Sequence, residues 1–238
     1  VEESSFAHWP GHGGVFLPEG IALFEDGGLC VIDGLMSSAA RVACYRADGT
    51  FSHDFQPGQM SKRLQIVMSC VRPGADTVYI ASDYGQHRIG VHQRDGTLIR
   101  SFGNNVYDAN AYDTADSPNV SHCTGLAVSR EGEAFVSTLD EVLVYGEDGG
   151  FLRVLWKDDL AAERNICGIA VSPRDGSIVV VTRKRPQNGE EIDAGGLVVV
   201  LNTEGVVQRA FGEGILQEPS ALAVSEQDEV IISDSGKK

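Results

Sequence analysis

Residues 17–49 alternate short apolar runs with polar clusters. Gly20-Ile21-Ala22-Leu23 is apolar, Glu25-Asp26-Gly27-Gly28 is polar, 29–32 is a second β-prone run closed by Asp33, and 41–45 is a third, ended by Asp48-Gly49. Residues 50–55 make a fourth run. Gly tolerates positive φ and Asp bonds its own backbone, so the clusters predict tight turns. Four short strands joined by such turns predict one antiparallel meander.

The unit recurs. Its opening run returns as Gly125-Leu126-Ala127-Val128, Gly168-Ile169-Ala170-Val171 and Ala221-Leu222-Ala223-Val224. Its third-strand turn, Asp48-Gly49, returns as Asp95-Gly96, Asp148-Gly149 and Glu204-Gly205, at spacings of 47, 53 and 56 residues. The second strand with its terminal acid returns at 78–83 and 230–234. Repeats of roughly 40–50 residues, each of four short strands, predict an all-β fold, a β-propeller of four-stranded antiparallel blades.

The predicted blades cover about 17–60, 64–103, 122–156, 166–212 and, in part, 219–238 of a single domain. Residues 5–18 read as a connector that ends one blade and opens the next, as do 211–219. The fifth blade has its first two strands only. An open blade leaves a row of unpaired backbone groups. The expectation is a fragment of a longer protein, or a ring completed by a flanking domain or a second chain.

Charge narrows the partners. Lys and Arg number 19 against 34 Asp and Glu, a net charge of −15. Phosphate backbones and anionic lipid surfaces attract Lys/Arg-rich faces, so nucleic acid is not an expected partner. No run reaches the ~18 apolar residues that span a bilayer. The five cysteines, Cys30, Cys44, Cys70, Cys123 and Cys167, are an odd set without CxxC spacing. They predict buried thiols in a reducing, intracellular setting rather than a disulfide framework.

Two insertions interrupt the repeat. Residues 104–121 are polar and carry Tyr107, Asp108, Tyr112, Asp113 and Asp116. The spacing of Asp108 and Asn110 fits a calcium loop poorly, because position six is Asp113 and position twelve Asn119. Residues 183–195 open with Arg183, Lys184 and Arg185 and continue with Glu190, Glu191 and Asp193, an exposed tongue between the second and third strands of blade four. Long loops on a rigid scaffold are disproportionately functional. The stretch 157–164 predicts a helical turn with Asp158 and Asp159 at its start and Arg164 at its end.

Candidate chemistry is sparse. No GxSxG elbow, HExxH, P-loop or dinucleotide fingerprint occurs. His8 and His12 flank Trp9-Pro10-Gly11 without the further ligands that zinc needs. Cys123 and His122 are adjacent, and neighbours on a strand face opposite ways. Glu19 precedes the first opening run, and Asp33, Asp83 and Asp234 end second strands. Gathered at one channel mouth, these four carboxylates could hold a divalent cation such as Ca or Zn. The other reading of an Asp after a strand is an acceptor for backbone N–H groups in the next turn.

The order PEGIAL, DGGLCVID, RVACYRADG in blade one and ASDYGQHRIGVHQRDGTLIRSFG in blade two resembles NHL repeats. The resemblance runs along nearly the whole chain and implies a six-bladed propeller, of which four and a half blades are present. Amidating lyases, metal enzymes with NHL-like propellers, place His where this chain has Glu19, Thr124, Cys167 and Ser220. Lactonases of the senescence-marker type match Glu19 and Asp234 and have an asparagine ligand with no counterpart here. The expectation is a non-catalytic scaffold without a cofactor that binds a protein or peptide through its two insertions. The alternative is a metal-dependent hydrolase or lyase.

Overall fold

The computed structural model describes residues 18–33, 41–57, 66–82, 88–103, 120, 123–157, 164–185 and 195–236. All regular elements among them are strands. They form four complete four-stranded antiparallel sheets and a two-stranded one, so the fold is all-β and of the propeller class. No helix among these residues is long and apolar enough to cross a membrane. The chain divides into two compact units, residues 1–121 and 122–238.

The first unit holds two blades. Blade one runs β1 (Pro18–Leu23), β2 (Leu29–Asp33), β3 (Arg41–Tyr45) and β4 (Phe51–Phe55); blade two runs β5 (Ile66–Val71), β6 (Thr77–Ser82), β7 (Arg88–Gln93) and β8 (Leu98–Phe102). Alternation decides what each strand buries. Ala22, Cys30, Ile32, Val42 and Cys44 of blade one meet Val78 and Ile80 of blade two in one apolar layer. Cys30 and Cys44 are free thiols directly opposed across β2 and β3.

The second unit holds blade three, β9 (Gly125–Val128), β10 (Ala134–Ser137), β11 (Glu141–Tyr145) and β12 (Phe151–Lys157), and blade four, β13 (Arg164–Val171), β14 (Ile178–Lys184), β15 (Gly196–Leu201) and β16 (Val207–Phe211). Two strands of a fifth follow, β17 (Pro219–Val224) and β18 (Val230–Asp234). Blades three and four share a large apolar layer that includes Phe135, Val142, Val144, Val180, Val199 and Leu201. The glycine of the recurring opening run has a packing reason. A Cβ on Gly125 would lie 3.0 Å from the Ile169 backbone nitrogen, and one on Gly168 would lie 3.4 Å from the Ala221 Cα. First strands of successive blades approach that closely only where the side chain is absent.

The strand pattern follows the sequence with two differences. β14 runs on through Arg183 and Lys184, which pair in the ladder with Gly196, Asn165 and Arg164. Both side chains are exposed, so continued pairing costs no desolvation of charge. Arg164 does not end a helical turn; it opens β13 and is buried. Residues 158–163 of that expected turn lie outside the described residues.

Candidate functional site

The carboxylates expected at second-strand ends have structural partners where they are described. Asp33 is buried, and Arg41, its register partner on β3, donates to its Oδ2 from Nε and Nη2 at 3.2 Å each. The other arm of Arg41 reaches Asp54 at 2.7 Å. Asp234 accepts the backbone N–H of Gln217 at 3.0 Å, of Glu218 at 2.7 Å and of Gly236 at 3.2 Å. The Gln217 N–H, with those of Glu218 and Gly236, holds its carboxyl below the ordinary aspartate range. Asp83 lies outside the described residues, as does the side chain of Glu19. Among the described residues no three His, Cys, Asp or Glu come together in a group that could hold a metal ion.

Cys123, Cys167 and Cys30 are packed rather than poised. Cys123 is buried with its Sγ donating to the Gly125 carbonyl at 3.4 Å, while His122 lies outside the described residues. Burial pushes the Cys167 thiol up to about 11, so it stays protonated near neutrality. Cys30 is pushed up as well, by its contact with the Cys44 thiol and by burial.

The base of the second insertion is a defined structure. Lys184 donates its N–H to the Gly195 carbonyl at 3.1 Å, and the buried Arg164 reaches the same carbonyl through Nη1 at 3.1 Å. The other Arg164 nitrogen pairs with Glu213 at 3.4 Å. Arg185 folds back onto the Arg164 carbonyl at 3.3 Å and onto the Asn165 side chain. Gly196 donates to the Leu216 carbonyl at 2.9 Å, and a Cβ there would collide with Leu216 and Pro219. Three of the residues expected in the tongue, Arg183, Lys184 and Arg185, therefore stand on its base, two exposed and one half-buried. Residues 186–194 lie outside the described residues, as do 104–119 with Tyr107, Asp108, Tyr112, Asp113 and Asp116.

A cavity of about 430 Å³ lies between blade four and the two strands of the fifth. Val179, Val200, Val224 and Val230 line it, with Asp175, Asp228 and Arg209 among its polar neighbours. Asp228 has φ +61° at a turn position where blades one, three and four have Gly27, Gly132 and Gly176. Its carboxylate offsets that strain by accepting from Ser172 Oγ at 2.7 Å and Arg174 Nη1 at 3.0 Å. This site has one sequence signal, the missing glycine in Ser225-Glu226-Gln227-Asp228-Glu229.

No protein-family model matches the chain, and no curated protein does. Among solved structures it is similar to a protein of unknown function from Bacteroides caccae, at 12% identity and a TM-score of 0.59, over 91% of this chain and 70% of that one. At that identity the likeness is one of fold alone.

Proposed function

We propose that the chain is an NHL-type propeller that acts as a non-catalytic platform for a protein or peptide partner, as part of a larger protein or assembly. The base of the insertion between β14 and β15 carries this reading. There the buried Arg164 fixes both ends of the loop, and Arg183 and Lys184 project from a ladder rather than from a free coil. A rigid base under a loop lowers the ordering cost that binding must overcome. Two exposed cations side by side at the base of the loop favour, at that spot, a partner segment with acidic groups. Asp33 and Asp234, engaged by Arg41 and by backbone N–H groups, serve the fold in this reading.

Replacing residues 186–194 by two glycines, with Arg183→Glu and Lys184→Glu as a separate variant, tests the platform. Immobilised wild type and variants are compared for the proteins they retain from a cell extract, quantified by mass spectrometry. The expected result is loss of the same retained species, by about tenfold, with an unchanged melting midpoint. Equal retention by all three proteins would refute the reading.

A further inference from the structure

Cys30 on β2 and Cys44 on β3 are register partners, and the backbone fixes how close they stand. Phe24 donates its N–H to the Gly28 carbonyl at 2.8 Å, so two residues on along each strand Ala22 and Cys30 form the next bonded pair. Cys30 therefore turns its backbone groups towards β1. Arg46 donates to the Thr50 carbonyl at 2.9 Å, and Cys44, two residues earlier on the same strand, turns its groups towards β4. Towards each other the two cysteines are thus a non-hydrogen-bonded pair. Such pairs hold their Cα atoms about 4.5 Å apart, against about 5.5 Å for bonded ones, with the side chains closer. A disulfide spans Cα separations of about 4.4–6.8 Å, so this pair lies within its reach.

The same row of the other complete blades uses no sulfur. It holds Tyr79 and Val91 in blade two, Phe135 and Val144 in blade three, and Val179 and Val200 in blade four. All six are buried, so packing of the row does not itself require two thiols. Cys123 and Cys167 each donate to a backbone carbonyl, of Gly125 and Val181, both at 3.4 Å. Cys44 lies instead between the Cys30 thiol and the Arg94 carbonyl, which it meets at 3.8 Å. The turn after β7 that carries Arg94 lies against the pair. Its guanidinium pairs with Asp26 at 2.6 Å and stands 4.2 Å from the Phe24 ring centre, while His53 Nε2 holds its carbonyl at 2.9 Å. The Cys30 thiol, donating to Cys44, lowers the Cys44 pKa against the effect of burial, and the Arg94 charge adds to the lowering. Cys44 is the readier thiolate of the two.

We propose that Cys30 and Cys44 form a redox-modification site, which hydrogen peroxide converts into a disulfide across β2 and β3. The Cys44 thiolate attacks one peroxide oxygen and the O–O bond breaks, leaving a sulfenic acid on Cys44. The hydroxide released takes up the proton that the Cys44 thiol gave off and departs as water. The Cys30 sulfur then attacks the Cys44 sulfur, the S–O bond breaks, and the hydroxyl leaves with the Cys30 proton as a second water. Two thiols are oxidised by two electrons, and one peroxide is reduced to two waters. Both sulfurs are buried, so the oxidant must be small and must enter as the Arg94 turn opens locally. That opening is cheap, because the Arg94 partner Asp26 is exposed and an exposed ion pair holds weakly. Closure also takes the Cys44 proton away from the Arg94 carbonyl, so the modification is felt at the turn that joins blade one to blade two.

The reduced 238-residue chain is exposed to excess hydrogen peroxide near neutral pH, quenched with N-ethylmaleimide in denaturant and digested with trypsin without reductant. Arg41 is the first basic residue of the chain and Arg46 the second, so the disulfide is read as residues 1–41 joined to 42–46. The linked peptide is expected to form at least about tenfold faster than the Cys123 or Cys167 thiol is lost, and dithiothreitol should restore both thiols. Cys30→Ser should halt the reaction at a Cys44 sulfenic acid that dimedone traps. Cys44→Ser should leave Cys30 unmodified over the same time. Melting curves verify that each variant is folded, and the wild-type kinetics keep the test intact if a serine variant is not. Loss of the Cys44 thiol without the linked peptide overturns the proposal, as does linkage that appears only once the chain is unfolded in urea. Linkage to Cys70, Cys123 or Cys167 in its place also overturns it, and so does dimedone trapping of Cys30 in Cys44→Ser at the wild-type rate. Loss of the insertion at 186–194 should leave the reaction unchanged, so this site and the platform reading fail independently.

Discussion

The two complete seams join like blades by different physics. Blades three and four meet through an almost wholly aliphatic layer, with Phe135, Val142, Val144, Val180, Val199 and Leu201 all buried. The described layer between blades one and two mixes Phe24, Ile32, Val42, Val78 and Ile80 with Ala22, Cys30 and Cys44, and the seam adds a buried imidazole, His92, and the Arg94–Asp26 pair. This seam thus carries polar contacts that need specific partners beside its apolar layer. The aliphatic seam should therefore respond to lost volume and the polar seam to charge and proton concentration.

The largest effect follows from volume. Leu201 is fully buried in the aliphatic layer, and Leu201→Ala should cost about 2–5 kcal/mol through lost transfer energy and the cavity left behind. Amide exchange should show the loss of protection in β14 and β15, with little dependence on pH between 5 and 8. Protection unchanged by the substitution would mean that the layer relaxes into the space, and the contrast between the seams would weaken.

Protons should act on the other seam. His92 is fully buried, its Nδ1 donates to the Gly96 carbonyl at 3.3 Å, and its Nε2 has no partner among the described residues. Burial, opposed in part by the Gly96 carbonyl, lowers its pKa below the ordinary value of 6.5. The unfolded chain therefore takes up the proton more readily than the fold does. Stability is therefore full above pH 6.5 and declines as pH falls from there towards the folded value, by at most about 1.4 kcal/mol per pH unit for one group. The carboxylates held low by hydrogen bonds in this unit, Asp26, Asp48 and Asp95, contribute only on further acidification, through the range below about pH 4. Exchange protection of β6 and β7 between pH 5 and 7 should thus fall in the wild type and stay flat in His92→Phe. A slope that survives His92→Phe would assign it to another group.

Much of the blade pattern was legible because its causes are local. Asp48-Gly49 and Asp95-Gly96 turn where the side chain of the Asp caps the N–H two residues on, and the flanking apolar runs pair across them. The backbone-capping reading of Asp234 was legible only for its local bond, from the Gly236 N–H, whereas the Gln217 and Glu218 N–H groups come from 17 and 16 residues earlier. Arg164 was not: as a residue after Asp and Glu it suits a helix end, but its partners are the Gly195 carbonyl and Glu213, 31 and 49 residues away. Arg183 and Lys184 read as loop by charge, and strand pairing with β13 and β15 overrides that local preference. The cavity beside Asp175 and Asp228 depends on the register of one blade against the next, which no single repeat encodes.

The smallest effect tests whether Arg94 is a lock or a passenger of the seam. Gly28 lies so near the guanidinium that a Cβ there would collide with Nη2, the movable end of a flexible side chain. Gly28→Ala should therefore displace Arg94 from Asp26 and Phe24 without straining the backbone, and Arg94→Met should remove the same contacts while keeping most of the apolar stem. Each should lower the exchange protection of β2 and β6 slightly, less than acidification does through His92. High salt should shrink the effect, because Asp26 is exposed and its ion pair is screened. The decisive measurement is the double variant. If one seated guanidinium is what both changes remove, the pair should cost no more than the larger single change, a non-additivity expected of residues that share a partner. Additive losses would mean that Gly28 is required by the turn itself, and the polar seam would then rest on His92 and its apolar layer rather than on the Arg94–Asp26 pair.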